Sequence, residues 1–527
     1  MNRLLKLAFK PADYLLNWPD KNNQFLRGPY APVDEEVTAR ECEVVGGLPE
    51  AVSGEFARNG PNPRFEPKGG YHWFDGDGMI HAVRIKPSGS ATFTNRYVKT
   101  KKLLLEEEAG EAVVMKFGDY VSKLCLPKMM VAGVKTKMGL VPDFVRLRES
   151  TANTSLAFHA GGRLIALNEG GLPYALRVMC EGVIETLGQV TFEGEMKTAF
   201  TAHPKLDHST GKLYGFGYQV QMDVKPFLTM YVLDADGKLE RQFPIDIPRG
   251  VMMHDFAITE NYAIFLDLPM VFEPALLVKG QMPIKFDKTL KSRMGVLPLD
   301  ATDSSSIRWF DMPETFVAFH VLNAWEEKVE VEGTTNTVLK VVTCDLFEIN
   351  LDQNDLMGEE SPDRRPTPHI NTLNLDTGNA TRASVLPKPI KEGLDFPQLR
   401  QTMIGRKNRF GYFTGFDVKG FPAAFVKVDL QAETQETAEV GRIDLGDWLG
   451  GEGLFIPSGA ADGAEDDGFL VSYVSPRDCG NSELRVWDAK SMDEVPVATV
   501  KIPARVPLGF HAIFVSEADL QSQKAQQ

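Results

Sequence analysis

The chain has 527 residues, 43% hydrophobic and 24% charged, an ordinary globular composition that excludes global disorder, a collagen-like repeat and a disulfide scaffold. Lys plus Arg is 57 against 72 for Asp plus Glu, a net charge of −15, so the whole-molecule field repels phosphate backbones and no nucleic-acid partner is expected. The five cysteines (Cys42, Cys125, Cys180, Cys344 and Cys479) are odd in number, scattered and without a C-x-x-C pair, which suits a reducing compartment.

Residues 1–30 form an amphipathic extension in which Leu4, Leu5, Leu7, Ala8 and Phe9 are interrupted by Arg3, Lys6 and Lys10. It lacks the long apolar centre and small-residue cleavage site of a secretory signal, and it is short and serine-free for a plastid transit peptide. No run of 18 apolar residues occurs, so no transmembrane helix is expected. The expected address is the cytoplasm, with a plastid as the alternative for a chain whose leader has been removed. Next comes Asp75-Gly-Asp-Gly78, flanked by His72 and His81; a hairpin turn joining two strands explains it with less chemistry than a metal loop.

Residues 121–148 differ from the acidic background. Leu124, Leu126, Met129, Met130, Val131, Val134, Met138 and Leu140 stand among Lys123, Lys128, Lys135, Lys137, Arg146 and Arg148, with Asp143 the one acid. Such a helix caps a sheet assembly, the favoured reading, or lies in a membrane interface as a docking segment, a reading the basic N-terminal extension strengthens. Beyond it the chain reads as short strands, among them 163–168, 212–218, 262–268, 338–344 and 468–474, separated by Gly, Pro, Asp and Asn. Residues 328–336, 351–368 and 458–467 are polar or acidic and are expected as solvated loops. Many short strands without a linker or helical alternation predict one all-β domain over 1–527, closed like a propeller, although no fixed-period repeat is visible.

Nine histidines occur. His203, His254, His320 and His511 each sit beside apolar strand sequence, far enough apart for one or more blades between them. On inner strands of a ring they would converge on its axis, where an all-imidazole set suits Fe, Cu, Zn or Ni rather than Mg or Ca. Taken singly, each is more simply a hydrogen-bonded core residue. His159, His208 and His369 lie in polar or turn settings and are expected at the surface.

Longer motifs decide between these readings. They are Arg58-Asn-Gly-Pro-Asn-Pro63, Tyr71-His-Trp-Phe-Asp-Gly-Asp-Gly-Met-Ile-His81, Phe200-Thr-Ala-His-Pro-Lys205, Met252-Met-His-Asp-Phe-Ala-Ile-Thr-Glu-Asn-Tyr262, Phe319-His-Val-Leu-Asn-Ala-Trp-Glu-Glu327 and Val506-Pro-Leu-Gly-Phe-His511. In this order they closely resemble the carotenoid cleavage dioxygenase family, in particular its plant-type cytosolic branch acting at the 9,10 and 9',10' double bonds. The resemblance implies a seven-bladed β-propeller with a helical dome over its top face. It implies non-haem Fe(II) on His203, His254, His320 and His511, O2 as co-substrate, and a carotenoid or apocarotenoid substrate drawn from a membrane surface.

It further implies that Glu169 orients His254, Asp395 orients His320 and Glu452 orients His511. Many members carry Glu where Asp395 stands, so direct contact with His320 is the open point of that set. Thr154 matches a residue that places a methyl over one open iron position; a strand threonine without a role is the equal alternative. Phe319 and Phe74 would line an apolar tunnel or simply fill core. Competing functions are cleavage of another polyene bond, stilbene cleavage, an iron-dependent isomerohydrolase, and a non-catalytic carotenoid carrier or scaffold. The stilbene branch is disfavoured by Asn168, where that branch has Lys, although Tyr97 is present as a phenol contact.

Overall fold

Within the five four-stranded sheets, apolar runs pair with a neighbour in sequence, most of them across turns that carry Gly, Asp or Asn. A computed structural model describes residues 23–143, 149–159, 162–179, 181–196, 198–219, 225–331, 333–351, 361–388, 390, 392–460 and 463–523, together with 9, 15 and 16. Five four-stranded antiparallel sheets follow one another along the chain as propeller blades. They begin with Ser155–His159, Lys205–Leu206, Phe256–Ile258, Val317–Val331 and Gly393–Gln398. A ten-stranded sheet unites the two ends of the chain. In it Ala512–Ser516 pairs with Gly54–Pro61, with Phe56 opposite Phe514, and Arg40–Gly46 bridges Ala91–Tyr97 and Ala498–Lys501.

The cores lie between successive sheets. Phe216 and Met230 of the second sheet meet Phe256 and Phe265 of the third, all at most 1% exposed, with the Phe216 and Phe256 rings 5.2 Å apart. Burying each such side chain contributes roughly 1.5–3 kcal/mol, so every sheet depends on the next for its stability. Helices are few. Cys125–Lys137 packs on the short helix Ala275–Val278, and Lys101–Ala109 starts at a Thr100 cap and ends at Gly110 in the left-handed region.

The strand runs expected at 163–168, 212–218, 262–268, 338–344 and 468–474 are all present. Of residues 328–336, expected as a loop, 328–331 and 334–336 instead belong to a long hairpin of Val317–Val331 and Thr334–Leu346, with residue 332 outside the described residues. Lys328 and Glu330 are exposed and Val329 between them is half-buried, so the charges occupy one face of a strand. Residues 352–360, 461 and 462 of the other two expected loops lie outside the described residues, as do 144–148 of the basic segment and most of 1–22. Among the described residues of 121–148 the α-helix is Cys125–Lys137, and no described helix is long and apolar enough to cross a membrane.

Three histidine readings change. The stretch between His72 and His81 is no tight hairpin: Gly54–Pro61 and Gly78–Ile85 do pair, but residues 62–77 connect them through the turn Trp73–Asp75. Asp75 there accepts backbone hydrogens from His72 (2.8 Å), Phe117 (2.6 Å) and Gly118 (2.8 Å), so the acid secures loops. His159 and His369 are buried rather than superficial. A backbone carbonyl meets each ring, Gly211 at 3.1 Å from His159 and Thr367 at 2.9 Å from His369, so burial leaves neither ring without a polar partner. His208 is exposed, as expected.

Burial pushes His72 and His369 down to about 3 from an ordinary 6.5. The unfolded chain therefore binds their protons first as pH falls, and stability is lost between pH 6.5 and about 3, by about 1.4 kcal/mol per unit per histidine. Burial raises Asp345, beside His369, to about 7 and Asp75, beside His72, to about 6, which opposes that loss in the parent. We therefore expect the urea midpoint of His369→Gln to gain on the parent's as pH falls from 7.5 to 5.5; a constant difference would remove His369 from the account.

Candidate metal centre

Four sheets each deliver one imidazole. His203 lies two residues before Lys205–Leu206, His254 two before Phe256–Ile258, and His511 directly before Ala512–Ser516. His320 sits inside Val317–Val331, where the register shifts between Ala318 and Val321, a bulge that re-aims the side chain. One ligand nitrogen from each ring lies within 4.8 Å of all the others, and the His203 and His254 Nε2 atoms are 3.0 Å apart. The His203 ring centroid is 4.6 Å from that of His254, 5.1 Å from His320 and 4.6 Å from His511.

Three rings are held from behind by carboxylates. Glu169 Oε2 lies 2.8 Å from His254 Nδ1, Asp395 Oδ1 2.7 Å from His320 Nδ1, and Glu452 Oε1 2.9 Å from His511 Nδ1. An ionised carboxylate only accepts, so each Nδ1 donates its hydrogen and each Nε2 presents a lone pair to the centre. The shorter Asp395 reaches its ring because its strand is irregular between Asp395 and Gln398, with Phe396 at φ 49°. Each acid is itself anchored: Glu169 by the Tyr218 hydroxyl (2.8 Å), Asp395 by the Phe396 N–H (2.9 Å), and Glu452 by the Ala512 N–H (2.7 Å) and Gln398 Nε2 (2.8 Å).

The donor set fits a borderline divalent cation. The His320 Nε2 is buried without a hydrogen-bond partner, a costly state for a lone pair unless a cation meets it. An ion about 2.1 Å from each nitrogen would place neighbouring nitrogens about 3.0 Å apart and opposite ones about 4.2 Å apart, the scale of the separations present. The electrostatics agree. Burial, then the other three imidazoles and Lys205, hold His203 well below its ordinary pKa, and burial likewise lowers His320 against the pull of Asp395. Burial also works against a charged His254, but Glu169 outweighs it and raises that ring.

Thr154 adjoins His511: its carbonyl accepts from the His511 N–H at 3.2 Å, and its hydroxyl is engaged by Asn153 and Asn168, both at 3.1 Å. The Phe319 ring stands 5.3 Å from that of His254. Phe74 belongs to an aromatic cluster with Phe117 and Phe510, the residue before His511. Sequence reasoning missed Phe396, whose ring lies 5.3 Å from His320 and 5.2 Å from His511, although its place directly after Asp395 was a usable signal. Tyr218 and Gln398 were missed too, and nothing local in the sequence distinguishes Tyr218.

The model of the retinal pigment epithelial membrane protein family, the carotenoid oxygenases, matches residues 30–516. The chain belongs to the carotenoid oxygenase family. It is 41% identical to carotenoid 9,10(9',10')-cleavage dioxygenase 1 of Arabidopsis thaliana over 99% of this chain and 95% of that protein. Against the carotenoid 9,10(9',10')-cleavage dioxygenase of Crocus sativus it is 40% identical, over 98% and 94%. Among solved structures, a lignostilbene dioxygenase of Pseudomonas brassicacearum superposes with a TM-score of 0.76 at 27% identity, over 95% of this chain and 99% of that one. As a carotenoid oxygenase, the chain is expected to share the enzyme class of these relatives.

Proposed function

We propose that this carotenoid oxygenase is a non-haem Fe(II) dioxygenase that cleaves a C=C bond of a carotenoid or apocarotenoid, at the 9,10 and/or 9',10' positions. The observation that carries this reading is the set of four converging imidazoles, three of them backed by carboxylates, in a chain related end to end to dioxygenases of that name. His203, His254, His320 and His511 would hold the iron. When bound, iron supplies the O2 chemistry that places both oxygen atoms in the two carbonyl products. The protein's own part is positional: Glu169, Asp395 and Glu452 fix ring tautomer and direction, and their negative charge offsets that of the cation.

Seven blades are supported by counting the ten-stranded sheet as two. One holds Leu454–Pro457, Gly468–Pro476, Glu483–Asp488 and Ala498–Lys501; the other holds Ala512–Ser516, Gly54–Pro61, Gly78–Ile85 and Ala91–Tyr97. On that count Thr154, His203, His254, His320, Asp395, Glu452 and His511 each lie at or near the start of the first strand of a different blade. Thr154, with its hydroxyl tied back to two asparagines, offers its methyl as the face that restricts one iron position. Phe319, Phe74 and Phe396 give the polyene an apolar, water-poor path.

A polyene is insoluble, so the protein must meet it at a lipid surface, and residues 121–148 with the helices as a dome suit that task. Met130 is 73% exposed and Val278, on the adjoining helix, 71%, with Lys123, Lys135 and Lys137 close by in sequence. A cytoplasmic, peripherally attached enzyme is the corresponding location. The lignostilbene relative favours stilbene cleavage as the second reading. Against it, Asn168 spends its amide hydrogens on Asn153 and Thr154, and the Tyr97 hydroxyl is taken by Asn62 at 2.5 Å.

Incubating the Fe(II)-loaded protein with β-carotene or 8′-apocarotenal in micelles under 18O2 is expected to yield two labelled carbonyl fragments whose masses give the bond. Cleavage of a phenolic stilbene with both carotenoids left intact would reverse the order of the two readings.

A further inference from the structure

We propose that Asp255 is a positioning residue that locks three of the four imidazole-bearing segments together and orients His203 through Lys205; this rests on the four rings being a metal centre. Three rings have a carboxylate on Nδ1, whereas among the described residues His203 has none. Its backbone N–H donates to the Thr201 hydroxyl at 3.0 Å, and Lys205 follows two residues on. Lys205 Nζ lies 2.7 Å from Asp255 Oδ1, with the Lys205 side chain 15% and the Asp255 side chain 2% exposed.

The same carboxylate reaches the other two segments. Asp255 directly follows His254, and its Oδ1 accepts from the Phe256 N–H at 2.8 Å, setting the turn into the next strand. Its Oδ2 accepts from the Val321 N–H, also at 2.8 Å, one residue past His320 and at the bulge that aims that ring. One buried side chain therefore binds backbone adjoining His254 and His320 and the side chain of Lys205, two residues past His203, on segments that belong to three separate sheets. The ion pair has an electrostatic consequence as well. Lys205 stands two residues from His203, and its pairing with Asp255 offsets an ammonium charge that would otherwise oppose a divalent ion at the four rings.

The test uses Co(II) as the probe on metal-free full-length protein, reading binding affinity, the visible d–d spectrum and the apo melting temperature. Asp255→Asn and Lys205→Met are each expected to weaken Co(II) about 10–100-fold, the range for partners that orient ligands, with an altered spectrum. Asp255→Asn should be the worse because it strands the ammonium beside the centre, and the double variant should recover part of that loss. As a control, Lys427→Met breaks a different buried pair, with Asp466 at 2.8 Å, and should lower the melting temperature while leaving affinity and spectrum alone.

Affinities and spectra within twofold of the parent, whatever the melting temperature, would overturn the proposal. Should Asp255→Asn not fold, Lys205→Met decides by the same criterion. A parent that binds no Co(II) would instead remove the metal centre itself.

Discussion

His320→Ala is expected to leave a folded protein without bound iron and to lower turnover at least about 1000-fold, equivalent to about 4 kcal/mol of lost barrier reduction. His320 is the most telling of the four rings for this test. Its Nε2 faces the centre with no protein partner, and its Nδ1 is committed to Asp395. Removing it leaves Asp395 Oδ1 with the Phe396 N–H alone, the loss of one hydrogen bond to a charged group, a cost of about 1.5–3 kcal/mol that a large protein tolerates. Iron content and product formation measured on one preparation check the result. Retained cleavage in an iron-free His320→Ala protein would rule out the four-imidazole centre.

Glu452→Ala combines two losses. Glu452 is 2% exposed and serves the His511 Nδ1, the Ala512 N–H and the Gln398 amide. Without it the His511 ring is free to rotate, and metal affinity should fall about 10–100-fold. The half-buried Ala512 N–H would lose its carboxylate partner at the start of its strand, costing about 1–3 kcal/mol. Glu452→Gln, which keeps one accepting oxygen, should fall between the two proteins in metal titrations and in urea midpoint. Equal metal affinity in all three would show that His511 needs no orienting partner.

Strands were legible in the sequence because short apolar runs between turn residues can form little else. The hairpin at 328–336 was not, because alternating charges look like a loop until a partner strand gives one face something to pack on. His159 and His369 were misplaced for a related reason: burial is set by neighbours distant in the chain, Gly211 and Asp345 among them, which composition does not report. The four imidazoles and their acids were legible only through long motifs, since each alone reads as core or loop. Whether Asp395 could reach His320 was open because side-chain length is visible in a sequence and a strand irregularity is not. Tyr218 and Phe396 join the site through the backbone geometry of separate sheets, and no spacing rule encodes that.

Closure of the ring by Ala512–Ser516 against Gly54–Pro61 also bears on how the protein is made. During synthesis His203, His254 and His320 emerge long before His511, so a nascent chain holds three imidazoles and lacks the strand that would seat the fourth. A ribosome that stalls before residue 511 therefore releases a chain with three of the four imidazoles. The four-imidazole cluster is complete only when the two ends of the chain have met.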